Sequence, residues 1–195
     1  MDNNEQSIPF ADFRRLDLRL GTVKEVNDHP DAEKLYILKV DLGEEEPRTV
    51  VTNIKSIYSK EDLLEHRILI VANLKPANFR GVKSFGMIVA ADDTEMGGNS
   101  LLLLQPSCDV PDGTQMGCGL EISTSRADMK HIEKVNMKIA TVKDGKFMGM
   151  DIELPEGAPA RVAAVIDQDK VLVLGDGKGC VMTVDGDITD GAPAI

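Results

Sequence analysis

The sequence predicts a mostly β protein: a five-stranded barrel carrying one short helix, followed by a smaller, degenerate barrel-like repeat. Three observations predict it. Short alternating or β-branched apolar runs recur between turn signals over residues 12–120. The period changes once, between the third and fourth runs, where a helix start stands. The pattern that opens the chain then returns in weakened form after residue 130. With no Trp, two Tyr and five Phe, the core has to be aliphatic.

Residues 1–11 read as a polar tail ending in an anchor at Ile8–Phe10. Leu16, Leu18 and Leu20 alternate with Asp17 and Arg19, the signature of a half-buried strand. Gly21 offers a bend, and Val23 to Val26 continue the strand. Asn27-Asp28-His29-Pro30-Asp31 is turn chemistry. Leu35 to Asp41 is a second strand, Gly43 to Pro47 a hairpin loop, and Arg48 to Asn53 the returning strand. Ser59 supplies a capping hydroxyl ahead of Glu61, Asp62, Leu63 and Leu64, which starts a short helix. Ile68 to Ala72 is a buried strand. Asn73 to Lys83 reads as a basic loop punctuated by Pro76 and Gly81. Gly86 to Ala91 and Leu101 to Leu104 are the closing strands, and Val110-Pro111-Asp112-Gly113 ends the unit in a turn. Three strands, a short helix and then the strands Ile68 to Ala72 and Gly86 to Ala91 make the plan of the OB barrel, whose ligand groove lies on the face of strands two and three with its flanking loops.

The repeat sets the domain organisation. His131 to Val142 matches Asp12 to Val23 in kind at nearly every position. Phe147 to Glu153 resembles Leu35 to Asp41, Pro159 to Val165 resembles Pro47 to Asn53, Val171 to Leu174 resembles Ile68 to Val71, and Gly179 to Met182 resembles Gly86 to Val89. The copy lacks counterparts of the Asp28–Lys34 turn, the helix and the basic loop. The expected division is a tail at 1–11, a barrel at 12–120, and a second β module at 121–195 that serves packing or dimerisation.

Composition excludes several function classes. The longest apolar run, near Ile68–Ala72, is far shorter than the ~20 residues that span a bilayer. The acidic, polar start is no secretory signal. Cys108, Cys118 and Cys180 are an odd, widely spaced set without CxxC, which argues against a disulfide scaffold or a zinc site and suits a reducing cytoplasm. Gly175-Asp-Gly-Lys-Gly-Cys180 is a hairpin loop and not a phosphate-binding motif, and Asp185 to Asp190 lacks the ligand spacing of a calcium loop. His29, set in a turn, is expected to be structural. No nucleophile–base signature is present, so no catalytic residue, metal or cofactor is expected and the protein is read as a non-enzyme.

The net charge is −11, from 22 basic and 33 acidic residues, which on average is wrong for a nucleic-acid binder. Charge acts locally, however. His66 to Ala91 contains no acid but carries Arg67, Lys75, Arg80 and Lys83. Within it, Asn73 to Met87 combines Lys75, Arg80 and Lys83, suited to phosphates, with Phe79 and Phe85, suited to stacking on bases or equally to packing in a core. Asn73, Asn78 and Ser84 could hydrogen-bond base edges or a ribose hydroxyl. Gly81 and Gly86 permit close backbone approach.

Asp12-Phe with Leu16-Asp-Leu-Arg-Leu-Gly21, His29-Pro-Asp-Ala-Glu-Lys-Leu-Tyr36, Val40-Asp-Leu-Gly43, Pro47-Arg-Thr-Val-Val51, and Asn73-Leu-Lys-Pro76 with Arg80-Gly-Val-Lys-Ser84 and Gly86-Met87 resemble the tRNA-binding domain family over about residues 12–117. That family includes free-standing proteins, C-terminal domains of some methionyl- and tyrosyl-tRNA synthetases, and cytokine-like synthetase cofactors. The resemblance implies an OB barrel that binds tRNA by shape and backbone. It implies a tRNA face of Ser84 and Met87 with Asn73, Lys75, Arg80, Lys83 and Phe85, and with Lys34 and Arg48 on adjoining surface. It further implies an aminoacyl-tRNA synthetase as a partner, and either a homodimer or a pseudo-dimeric monomer in which residues 121–195 replace a second subunit. Two positions depart from the family pattern: Phe85 stands where a polar residue is usual, and Asn53 where Gly is usual, Asn being tolerant of a left-handed backbone. Two other readings stay open. One is an export-chaperone-like protein that grips peptides through Phe79, Phe85 and Met87; the other is a synthetase-assembly subunit without RNA binding of its own.

Overall fold

The computed structural model describes residues 8–195. Residues 1–7 of the expected tail lie outside that range. Of the anchor, Phe10 is buried and its amide donates to the Asp167 carboxylate (2.6 Å), whereas Ile8 is exposed.

In the first half, strands β1 (Leu18–Asp28), β2 (Tyr36–Asp41) and β3 (Arg48–Thr52) precede a one-turn helix α1 (Lys60–Leu63). Strands β4 (Arg67–Val71), β5 (Ala77–Phe79), β6 (Val82–Ser84), β7 (Met87–Ile88), β8 (Ala90–Asp92), β9 (Leu101–Leu103) and β10 (Gln105–Pro106) follow. The antiparallel order β3-β2-β1-β4-β7 forms the five-stranded barrel. Long β1 serves two neighbours: Leu18 to Thr22 pair with β4, and Thr22 to Asp28 pair with β2. A register shift between Val23 and Glu25 bends it from one to the other, as a bulge does. Alternation decides the faces: Tyr36, Leu38 and Val40 point into the barrel with Val23, Val50, Ile68 and Ile70. The barrel is closed between β3 and the β6–β7 corner, where the Phe85 amide donates to the Thr49 carbonyl (2.9 Å). Helix α1 has the capping box that Ser59 and Asp62 foretold, each side chain bonding the other's backbone N–H.

The segment expected as a loop from Asn73 to Lys83 is in part a hairpin, β5–β6, with Phe79 opposite Val82. Its two-residue turn, Arg80-Gly81, has φ of 46° and 93°, the doubly left-handed geometry that suits strand twist in tight hairpins. Asn53 does not use a left-handed backbone: its φ is −105°, and it leads into a 3-10 turn over Ile54–Ser56.

The second half holds α2 (Met129–Ile132), β11 (Asn136–Thr141), β12 (Lys146–Phe147), β13 (Met150–Asp151), β14 (Arg161–Asp167), β15 (Lys170–Val173), β16 (Met182–Thr183) and β17 (Ala192–Pro193). A short helical turn ahead of β11 mirrors the 3-10 turn Phe13–Arg15 ahead of β1. Past that point the copies diverge. The order is β15-β14-β11-β17, so β14 takes the place beside the first strand that β2 has in the barrel. The stretch matched to β2 is instead a separate hairpin, β12–β13, turned by Met148 and Gly149 at φ of 50° and 86°.

The two sheets share a core, in which Leu16, Leu69 and Val89 pack with Ile139, Val165 and Ala192. Strand β10 pairs with β16 across the halves. The buried Asp93 carboxylate accepts bonds from the Ser100 amide, the Thr189 amide and the Thr189 hydroxyl, at 2.7–2.8 Å. Cys108 and Cys180, 72 residues apart, form a disulfide with Cα atoms 5.6 Å apart. This corrects the expectation, drawn from their odd number and wide spacing, that argued against a disulfide: spacing along the chain is silent on cysteines that tertiary packing brings together. Among the described residues, no helix is long and apolar enough to cross a membrane.

Candidate nucleic-acid interface

The hairpin β5–β6 is fastened to the barrel by a histidine. His29 is 4% exposed, and its Nδ1 accepts from the Asp31 amide (3.1 Å). That leaves Nε2 to carry the proton and donate to the Phe79 carbonyl (2.8 Å). Arg80 Nη1 donates to the Asp31 carbonyl (2.8 Å), so the hairpin tip is tied to the β1–β2 loop twice. Within the tip, Asn78 Oδ1 accepts from the Gly81 amide (2.8 Å). The expected structural role of His29 is thus given a geometry, and Asn78 is partly engaged in the turn.

The candidate residues separate into two groups. Lys75, Arg80, Lys83, Lys34, Phe79 and Phe85 lie at the surface. Phe79 and Phe85 keep 38% and 42% of their area exposed, too much for core residues. Lys83 has no ion-pair partner among the described residues, and Lys75 has a loose one, Asp128, at 3.7 Å. Burial raises the Asp128 carboxyl, but the nearby His131 and Lys75 charges and amide donors together bring it below the ordinary carboxylate value.

Asn73, Ser84, Met87 and Arg48 are engaged inside the protein. Ser84 is 3% exposed; its hydroxyl accepts from the Val51 amide and donates to the Gly86 carbonyl, both at 2.9 Å. Met87 packs half-buried on the core shared by the two sheets. Asn73 Oδ1 accepts from the Asp17 amide (2.9 Å), and Nδ2 donates to the carbonyls of Arg15 and Ser125 (2.8 Å each). Arg48 is gripped by the Glu44 carboxylate and reaches the carbonyls of Ala72 and Phe85. The expectation that the side chains of Ser84 and Asn73 offer free polar atoms to a base is therefore corrected. All of their donor hydrogens are taken by backbone carbonyls and each oxygen already accepts from a backbone amide, a fact of tertiary structure that residue type does not reveal.

Asn73, Arg48 and Phe85 line one open groove, whereas Lys34 stands beside Asn53 and Lys55 in a separate depression on the loop side. Near the latter, Lys55 and Lys60 hydrogen-bond the Asp28 carboxylate and hold its pKa below the ordinary value. Sequence reading missed Arg126, which lines the groove from the connector. The only signal for it was its positive charge, since its place depends on a parallel bridge between Leu74 and Ala127.

For nucleophilic chemistry the surroundings are poor. Burial pushes the Cys118 thiol up to about 12, so it stays protonated at neutral pH. Among the described residues no three His, Cys, Asp or Glu side chains converge as metal ligands.

Residues 18–115 match the family model described as a tRNA binding domain. The methionine–tRNA ligase of Pyrococcus horikoshii is 50% identical over 109 residues, which is 56% of this chain and 14% of that enzyme. The methionine–tRNA ligase of Thermococcus onnurineus is 47% identical over 109 residues, again 56% and 14%. The chain thus spans about 14% of the length of these relatives. Among solved structures, the C-terminal domain of Plasmodium vivax p43 has the same fold, with a TM-score of 0.66 at 24% identity over 94% of this chain and 98% of that one.

Proposed function

Because this chain belongs to the tRNA binding domain family, shown by the match over residues 18–115, we propose that it is a non-catalytic tRNA-binding module that assists an aminoacyl-tRNA synthetase. The observation that carries the reading is the acid-free stretch His66 to Ala91, in which Lys75, Arg80 and Lys83 are exposed and the rings of Phe79 and Phe85 half-exposed. Cations hold a phosphate backbone and rings stack on unpaired bases, whatever the base identity. The close kinship with methionine–tRNA ligases supports a synthetase as the partner. A module that adds tRNA affinity from outside an active site works by raising effective concentration and does no chemistry. The core shared between the barrel and the second sheet supports a pseudo-dimeric monomer, with residues 121–195 as the packing partner. The proposed compartment is the cytoplasm.

The test is binding of unfractionated tRNA across a salt series, with the Lys75→Glu/Arg80→Glu variant alongside. Each neutralised phosphate contributes ~0.7–0.9 to the slope of log affinity against log salt. A slope of several units that collapses in the double variant supports the reading. Absence of binding at low salt refutes autonomous RNA binding. Peptide binding that depends on Phe79 and Phe85 would then favour the chaperone-like alternative.

A further inference from the structure

The connector that leaves the barrel returns to its candidate RNA face. The Ser123 amide donates to the Arg14 carbonyl (2.7 Å), and Asn73 Nδ2 donates to the Ser125 carbonyl (2.8 Å). The Ala127 amide donates to the Asn73 carbonyl and the Lys75 amide to the Ala127 carbonyl, both at 3.0 Å. Ser125 and Ala127 are pinned, and Arg126 stands between them on a fixed backbone. Its guanidinium is exposed, with no hydrogen-bond or ion-pair partner among the described residues. It lies outside the family match at 18–115.

Arg126 lines an open groove of about 560 Å³ together with Phe85, Arg48 and Asn73, and Lys39, Glu44 and Glu46 line it too. That volume suits a small-ligand site of ~300–1,000 Å³. The charges in the groove are not equivalent. Arg48 is neutralised by Glu44, so among the described residues the lining cations without a carboxylate partner are Arg126 and Lys39, whose Nζ donates to the Thr49 hydroxyl (2.9 Å), while Glu46 adds negative charge to the lining. Lys39 is already hydrogen-bonded, whereas Arg126 has no partner among the described residues and is free to turn to a phosphate. The half-exposed Phe85 ring offers the groove an apolar surface.

We infer that this groove takes one unstacked nucleotide of a tRNA strand, with Arg126 holding its phosphate and Phe85 stacking on its base. The connector is then part of the RNA interface and more than a link between two sheets. The inference rests on the tRNA-binding reading above, and the experiment separates the two.

Unfractionated tRNA is titrated at several salt concentrations against the full chain and against Arg126→Ala, Arg126→Lys, Phe85→Ala and the Arg126→Ala/Phe85→Ala pair. Arg126→Ala is expected to lower the log–log slope by ~0.7–0.9, the loss of one phosphate contact, and Arg126→Lys to keep it. Phe85→Ala is expected to weaken binding from about fivefold to about a hundredfold at unchanged slope. Two groups that hold one nucleotide are coupled, so the pair loses less than the product of the single losses. The Arg126 side chain makes no hydrogen bond or ion pair among the described residues, and unchanged melting temperatures confirm that the variants are folded. If the unaltered chain binds tRNA while Arg126→Ala matches it in affinity and slope, the groove assignment is overturned and the tRNA-binding reading stands. Losses that simply multiply overturn the shared nucleotide. Failure of the unaltered chain to bind overturns both.

Discussion

Replacing Ser84 by Ala distinguishes a barrel-closing residue from an RNA-contacting one. The hydroxyl lies at the β6–β7 corner, where it accepts from the Val51 amide of β3 and donates to the Gly86 carbonyl, both at 2.9 Å. Val51 is 7% exposed, so water cannot replace the lost acceptor without opening the closure. A buried amide left without a partner costs ~1–3 kcal/mol. For a chain of 195 residues each kcal/mol is about 2–4 °C in melting temperature, which gives an expected drop of about 2–12 °C. The chain has no Trp, so the melt is followed by far-ultraviolet circular dichroism. Binding of tRNA is measured in parallel, well below the transition, and is expected to stay within about threefold, under ~0.7 kcal/mol. Phe85→Ala has the opposite signature, a small change in melting and a loss of ~1–3 kcal/mol in binding, because its ring is already 42% exposed. If Ser84→Ala melts with the unaltered protein and loses tenfold or more in tRNA affinity, the hydroxyl reaches RNA and the closure argument is wrong.

Two further perturbations test other joints of the molecule. Asn73→Ala removes three hydrogen bonds that tie the segment just before β1 and the connector to the loop after β4. At ~0.5–1.5 kcal/mol each, and with two of the three near the surface, the expected loss is about 2–3 kcal/mol; an unchanged melting temperature would contradict that role. Asp93 is held below the ordinary carboxylate pKa by the Thr189 amide first, then the Ser100 amide and the Thr189 hydroxyl. Its folded pKa is below its unfolded one, so its stabilisation is complete above the ordinary carboxylate range and disappears as pH falls through the folded value. Asp93→Ala should therefore melt lower than the parent near neutral pH, with the gap narrowing on acidification to about pH 3; a gap independent of pH would exclude this clamp.

The parts legible in the sequence are those fixed by local rules. Alternation located β1 and β2, the Gly-Glu-Glu-Glu-Pro loop located their hairpin with β3, and Ser59 with Asp62 located the helix start. The hairpin β5–β6 was not legible, because its strands are three residues each and its exposed residues show no alternation. Its turn was hidden as well, since Arg80 takes a left-handed backbone that its type does not advertise. Phe79 and Phe85 are balanced between core and surface on sequence grounds, and only their exposure in the fold decides. The partners of Asn73 lie 52–58 residues away, and of the two partners of Ser84 the one that ties it to β3, the Val51 amide, lies 33 residues away, so those engagements leave no local mark in the sequence. The disulfide and Arg126 follow the same rule, each depending on how the second half folds back on the first.

An excess of acid and an affinity for a polyanion are reconciled by where the neutralisation falls. Asp28 holds Lys55 and Lys60, and Glu44 holds Arg48, so those cations contribute little field of their own. Lys83 and Arg126 have no such partner among the described residues, and Lys75 has a weak one. At physiological salt the screening length is about 8 Å, so a phosphate seated on the face senses these few cations far more than the total charge. An approaching tRNA, still beyond that distance, meets a molecule of net charge −11. The face then favours a slow dissociation that the approach does not match with a fast association, because steering scales with the long-range field. A site of that kind gains most from a partner that already holds the tRNA nearby, since tethering replaces diffusional encounter with effective concentration. That charge distribution is what the proposed action beside a synthetase would require.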